Sequence, residues 1–266
     1  MKWFFAVTED TLTHADHDFP GLVRAAAASA LRNTTLRPNL IFDGAECALT
    51  QDLRSMGVNI IHHQLSMGPY FRTHATPDYL LLIALGAYLR TDIPEIERED
   101  DLVLYTDCDV LFLRDPIAPD IIPQYFSCAP ESIRDDYNAI NTGVMWMNLR
   151  NLRNDLPTFR HFVQQNFKRL VAFDQGAYIE YYRGRWDRLP IKANWKPYWG
   201  INPDAEIVHF HGPKPEAVRK RLADPAYRAG DSWGLIMDGK DTEYRYYLEL
   251  WDRYRAYADT LVRAAA

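Results

Sequence analysis

Two aspartates one residue apart stand between apolar runs: Leu102-Val103-Leu104-Tyr105-Thr106-Asp107-Cys108-Asp109-Val110-Leu111-Phe112. The first run delivers both carboxylates to a strand end, where the apolar flanks set them apart from a turn of two solvated acids. Mg²⁺ and Mn²⁺ are hard ions that take oxygen donors and often bridge protein carboxylates to substrate phosphates. If the strand continues through the pair, alternation puts both side chains on one face. Farther along, the apolar Ile207-Val208 leads into His209, with His211 two residues on. A neutral imidazole at a strand end completes an oxygen-rich metal site, and the two histidines share a strand face, so either is a candidate.

Other residues carry weaker chemistry. Lys214 lies between Pro213 and Pro215, a stiff segment suited to a fixed phosphate contact. Arg90 closes an expected helix and is either a solvated charge or a ligand contact. Gln175 is no base. Its neighbour Asp174 is a nucleophile, an acceptor for sugar hydroxyls or a helix-start residue. His62-His63 reads as a polar strand end.

The elements that must position these groups follow from periodicity and punctuation. Strands are expected at Trp3–Thr8, Asn39–Phe42, Val58–Ile61 and Leu102–Tyr105, then at Thr142–Met147 and Glu206–Phe210. Helices are expected at Leu22–Leu31, Asp52–Met56 (with Gly57 as its cap), Asp78–Leu89, Pro157–Leu170 and Thr242–Val262. The last has Tyr247, Trp251, Tyr254 and Leu261 near one side and is expected to pack on the domain. Strand–helix alternation implies an α/β fold with a mostly parallel central sheet, whose ligands bind beyond the carboxyl ends of the strands.

Composition narrows the classes. A chain of 266 residues with 47% hydrophobic and 25% charged residues buries enough surface to fold without disulfides. Its net charge of -6 argues against nucleic acid as a partner, and a polyanionic ligand would need a metal or a local basic cluster. Cys47, Cys108 and Cys128 cannot all pair within one chain, which suits a reducing compartment. No run approaches the roughly 20 apolar residues of a membrane span. The cytosol is the expected location, with at most peripheral membrane contact. The 16 Tyr, 12 Phe and 7 Trp suit either a packed core or a sugar-binding surface.

The pattern resembles a known family. The Asp107-Cys108-Asp109 segment resembles the Asp-x-Asp motif of nucleotide-sugar glycosyltransferases, and the chain is similar to their retaining family 8, the family of glycogenin and bacterial lipooligosaccharide galactosyltransferases. Further segments match in order. Tyr88-Leu89-Arg90 resembles the Tyr-x-Arg helix whose Arg meets the donor diphosphate. Asn141-Thr142-Gly143-Val144 resembles the Asn-x-Gly-Val strand beside the donor sugar. Asp174-Gln175 resembles the Asp-Gln pair on the reacting side of that sugar. His209-Phe210-His211-Gly212-Pro213-Lys214-Pro215 resembles the His-x-x-Gly...Lys-Pro element, whose first His is the third metal ligand and whose Lys meets phosphate. Here the Lys is one residue closer to the Gly than is usual, Glu216 replaces a Trp, and the first strand ends in Thr8-Glu9-Asp10 instead of an Asp-Asn-Tyr-like base pocket.

The resemblance implies one GT-A-like (Rossmann-like) domain over 1–266: a nucleotide-binding half, 1–113, an acceptor and sugar half, 114–241, and a C-terminal helix, 242–266. It implies Mn²⁺ or Mg²⁺ on Asp107, Asp109 and His209. Donor contacts are implied for Thr8, Glu9, Asp10, Arg90, Asp107, Cys108, Asn141, Gly143, His211, Gly212 and Lys214. Catalytic roles fall to Asp174 and Gln175. The implied reaction moves a hexose from a UDP-sugar to a saccharide or glycolipid acceptor with retention. Two alternatives share the motif. One is an aspartyl phosphohydrolase of the haloacid dehalogenase type, whose Asp-x-Asp normally lies nearer the start of the core. The other is a non-catalytic nucleotide- or sugar-binding module.

Overall fold

In the computed structural model, which describes residues 1–12, 18–76, 80–227 and 236–265, apolar strands run side by side with helices on both faces. The strands are β1 Lys2–Thr8, β2 Arg37–Asp43, β3 Asn59–His62, β4 Leu102–Thr106, β5 Val110–Phe112, β6 Phe126–Pro130, β7 Ile140–Asn148, β8 Asp187–Arg188 and β9 Ile207–His209. The helices are α1 Glu9–Leu12, α2 Phe19–Asn33, α3 Ala48–Ser55, α4 Gly68–His74, α5 Leu81–Tyr88, α6 Ile93–Ile96, α7 Leu149–Asn166, α8 Asp174–Tyr182, α9 Pro215–Ala223 and α10 Asp241–Ala265.

Seven strands form the central sheet in the order β3-β2-β1-β4-β7-β6-β8. β1 to β4 are parallel, β7 runs antiparallel to both β4 and β6, and β8 is parallel to β6. The sheet is therefore mostly parallel, as expected, with β7 reversed. Strand alternation divides the core in two. Phe4, Ile41, Val103, Tyr105, Met145 and Met147 face one layer of helices, while Trp3, Phe5, Leu40, Leu104, Val144 and Trp146 face the other. β5 and β9 form a separate antiparallel pair.

Alanines 25–28 of α2 are fully buried, which lets α2 pack closely against β5 and α10. α10 buries Tyr244, Tyr247, Leu248, Trp251 and Ala258, the spacing of an apolar helix face. The C-terminal helix thus packs on the domain as its aromatics suggested.

Several expectations shift, and the helix expected at Asp52–Met56 is α3, Ala48–Ser55. The helix expected at Asp78–Leu89 is α5, Leu81–Tyr88; Asp78 lies outside the described residues, and Leu89–Asp92 tighten into a 3-10 turn. The helix expected to start at Pro157 starts at Leu149, where the Asn148 side chain accepts from Asn151 N, and Pro157 sits inside it. β6 and β8 appear where no strand was expected.

Candidate metal centre and donor cleft

β4 ends at Thr106, and the chain bends through Asp107-Cys108-Asp109 before β5 resumes at Val110. The strand does not continue through the aspartates. They converge because the bend is anchored, with Asp107 N donating to Gly143 O at 2.8 Å. β5 then pairs with β9 in the register Val110↔His209, which sets His209 beside Asp109. Its Nε2 lies 3.2 Å from Asp109 Oδ1 and 3.7 Å from Asp107 Oδ2. One donor atom from each of Asp107, Asp109 and His209 lies within 4.8 Å of the others.

These residues fit a divalent cation. Two carboxylate oxygens and one imidazole nitrogen suit Mn²⁺ or Mg²⁺, and the space among them is kept open by Gly143. A Cβ there would lie 2.2 Å from His209 Cε1 and 2.8 Å from Asp107 Oδ2. Of the two candidate histidines, His209 is the one that meets the carboxylates. β9 ends at His209, and His211 turns away, its Nε2 2.9 Å from Glu131 Oε1 and its Nδ1 2.9 Å from Tyr198 Oη.

Cations flank the acids. Arg90 is buried in the 3-10 turn, not solvated at a helix end. Its guanidinium donates to Asp107 Oδ1 at 2.7 Å and to Thr142 O at 2.6 Å, lies 3.0 Å from Asp174 Oδ2, and stacks on the Tyr105 ring at 4.3 Å. Tyr105 Oη adds a second bond to Asp107 Oδ1, 3.0 Å. Lys214 Nζ donates to Asp109 Oδ2 and to Phe210 O. Although Asp109 is buried, which alone would raise it, Lys214 and His209 hold its carboxyl well below the usual range.

The group forms the floor of a cleft of about 790 Å³. Its lining includes the polar His211, Lys214 and Lys220 and the apolar Leu82, Ile83, Ala87 and Phe173. The first group can meet phosphate and hydroxyl groups, and the second offers hydrocarbon.

Neither a family model nor a curated protein sequence matches the chain. Solved structures do. The galactosyltransferase LgtC, crystallised with donor and acceptor sugar analogs, aligns over 95% of this chain and 96% of its own at 18% identity and a TM-score of 0.66. The glycosyltransferase GlyE of Streptococcus pneumoniae TIGR4 aligns over 95% of this chain and 64% of its own, at 15% identity and a TM-score of 0.61. Mouse xyloside xylosyltransferase 1 aligns over 79% and 97%, at 14% identity and a TM-score of 0.55. The chain has the GT-A glycosyltransferase fold. These neighbours do not favour the haloacid dehalogenase alternative, and no helix among the described residues is long and apolar enough to cross a membrane.

Within the GT-A fold the other candidate residues fall into two sets. Asp10, Cys108 and Gly212 line the cleft with the metal centre, and burial beside Asp107 and Asp109 pushes the Cys108 thiol up. Thr8 and Glu9 lie outside it. The Thr8 hydroxyl is buried against that of Thr11 at 2.7 Å, and the Glu9 carboxylate accepts from Ala45 N at 3.1 Å. The buried amide of Asn141 is engaged by Glu131, Gln175 and Asn194. Asp174 opens α8 after two residues in the left-handed region, Ala172 at φ 56° and Phe173 at φ 53°, and Gly176 accepts the close approach of Val171 O. Burial pushes the Asp174 carboxyl up to about 7, although Arg90 opposes the rise. Gln175 joins Glu131 and the backbone of Thr142. His63 Nε2 bonds the fully buried Asp92, which Arg160 also holds, so His63 is structural.

Sequence reasoning missed Glu131, Asn194 and Lys196. Glu131 follows the apolar run of β6, and the rule that picked out Asp107 and His209 would have found it had β6 been recognised. Lys196 is fully buried, and desolvation pushes its ammonium down to about 7 against the pull of Glu131. Three consecutive carbonyls are clamped from one short segment: Lys196 Nζ donates to Pro130 O at 2.7 Å, Tyr198 Oη to Glu131 O at 3.2 Å, and Trp199 Nε1 to Ser132 O at 2.7 Å.

Proposed function

We propose that the protein transfers a hexose from a nucleotide-sugar, most simply UDP-glucose or UDP-galactose, to a saccharide or glycolipid acceptor with retention of configuration. The convergence of Asp107, Asp109 and His209 on the floor of a cleft, with Arg90 and Lys214 beside them, carries this reading. Asp107, Asp109 and His209 hold the divalent ion, which when bound supplies positive charge to the donor diphosphate and its leaving group. Lys214 and Arg90 are placed to meet phosphate oxygens as the bond to the sugar breaks and charge grows on them.

Retention requires attack on the face from which the diphosphate leaves, or a double displacement through a carboxylate. An inverting enzyme would need a general base opposite the leaving group, and Gln175 offers none. Asp174 is a poor candidate for a covalent nucleophile. It is buried and held by Arg90, and burial pushes its carboxyl up to about 7. The front-face route fits better: a diphosphate oxygen takes the acceptor proton while Arg90 and Lys214 stabilise its charge.

The test is a panel of nucleotide sugars scored for hydrolysis and for thermal stabilisation, with Mn²⁺ and with excess chelator. UDP-hexoses with Mn²⁺ are expected to stabilise the protein and be consumed. Full activity in chelator would overturn the metal assignment, and selective stabilisation by a GDP- or CMP-sugar would overturn the uridine part. NMR of the product is expected to show the donor's anomeric configuration; an inverted product would overturn retention.

A further inference from the structure

His209 can serve a cation between Asp107 and Asp109 only if Nε2, which faces them, carries a lone pair. The two carboxylates by themselves favour a proton on Nε2, the wrong tautomer for a ligand. Nδ1 lies on the far side, 3.1 Å from Oδ1 of the fully buried Asn194. If that oxygen faces the ring, the proton belongs on Nδ1. If the Asn194 amide were turned over, its NH₂ would demand the lone pair instead.

The orientation of Asn194 follows from its other neighbours. Its Nδ2 donates to Asn141 Oδ1 at 2.9 Å, and Asn141 Nδ2 donates to Glu131 Oε2 at 3.0 Å. Glu131 is held ionised: burial raises its carboxyl, but the bonds from His211 and Asn141 outweigh that and leave it below the usual value. An ionised carboxylate has only acceptors. Asn141 must therefore turn its NH₂ to Glu131 and its oxygen to Asn194, and Gly143 N supports this by donating to the same oxygen at 3.2 Å. The clamp on carbonyls 130–132 keeps Glu131 in place.

We propose that Asn194 is a positioning residue of the metal centre, oriented through Asn141 by Glu131, and that this relay fixes His209 as the tautomer whose Nε2 lone pair points at the cation. The proposal rests on the metal-centre reading above. Residues that ligate through imidazole depend on such a partner at the other ring nitrogen, and losing it typically weakens metal binding about 10–100-fold.

Two measurements test it. In metal-free protein with ¹⁵N-labelled histidine, at a pH where the ring is neutral, His209 is expected to carry its proton on Nδ1, and Asn194→Leu to move it to Nε2. In a Mn²⁺ titration followed by EPR, Asn194→Leu is expected to bind about 10–100-fold more weakly. Asn194→Asp restores the acceptor at Nδ1 and, with its outer oxygen protonated, the donor to Asn141 Oδ1; it should bind Mn²⁺ more tightly than the Leu variant, although any charge on it is costly to bury. Glu131→Gln, which lets Asn141 turn over, should give mixed tautomers and a smaller loss. A wild-type proton on Nε2 would overturn the proposal. So would an Asn194→Leu variant that binds as tightly as wild type, or an Asp variant no better than Leu with both melting normally. Failure of the wild type to bind Mn²⁺ would sink the metal reading instead, and the metal-free tautomer would still decide the relay.

Discussion

The ends of β1 and β4 look alike in sequence and behave differently in the fold. Both strands are apolar, both lie at the centre of a mostly parallel sheet, and both end in polar residues on the side where such sheets bind ligands. At β1 two of the polar groups are consumed nearby, Thr8 by Thr11 and Glu9 by the backbone of Ala45, and only Asp10 reaches the cleft. At β4 a second element arrives. The β5–β9 pair carries His209 to Asp109, and Arg90 and Lys214 close in from two further segments. Acids at a strand end become a site when distant parts of the chain are brought against them; otherwise they are caps.

The most severe way to sharpen this contrast is to remove a ligand at β4. Asp109→Ala is expected to lower donor turnover on the order of a thousandfold, corresponding to the several kcal/mol of charge stabilisation a metal supplies. Steady-state assays with added Mn²⁺ check it, and a variant rescued to full rate would break the comparison. Next, Gly143→Ala should push His209 aside. Overpacking of this kind costs about 1–3 kcal/mol, and isothermal titration should show Mn²⁺ affinity falling further than the melting temperature alone explains.

Asp174→Asn is expected to weaken transfer without eliminating it, with no glycosylated enzyme accumulating; a sugar trapped on Asp174 in the wild type would favour double displacement. The same variant has a pH signature. With a folded value of about 7 against about 4 unfolded, the folded state holds the extra proton between those limits. The stability owed to this group therefore falls as pH rises through that window. Denaturant melts of metal-free protein should show that slope, and Asp174→Asn should flatten it. The smallest effect belongs to β1. Glu9→Gln should change stability by no more than about 0.5 kcal/mol and leave donor turnover untouched. A large loss of turnover there would mean that the two strand ends are not so different.

Much of the parallel run β3-β2-β1-β4 was legible. Trp3–Thr8, Asn39–Phe42 and Leu102–Tyr105 are runs whose apolar character survives burial on both faces, and each is a strand. The aspartate pair stood out because apolar runs flank it on both sides, and His209 because it follows Ile207-Val208 within the His-x-x-Gly...Lys-Pro resemblance. What escaped notice depends on tertiary contact. Phe126–Pro130 ends in a proline and pairs with β7 across a register shift at Cys128/Ala129, so it lacks a clean strand signature. Asn194 and Lys196 sit in and beside a 3-10 turn with no periodicity to mark them. Their importance lies in what they touch. Arg90 looked like a helix-end charge until the tightening of Leu89–Asp92 turned it inward. Pro157 suggested a helix start, but the Asn148 cap nine residues earlier decided where α7 begins.

Joining β5 to β9 has a further consequence in the order of synthesis. A ribosome releases Asp107 and Asp109 together, but the strand that brings His209 comes about a hundred residues later, on the order of ten seconds at ordinary elongation rates. Through that interval β5 has no β9 to pair with, and the nascent chain holds two of the three ligands without the third. Capture of a cation by all three residues would therefore be a late event in the life of each molecule, and a chain stalled before β9 would carry the acidic motif without His209.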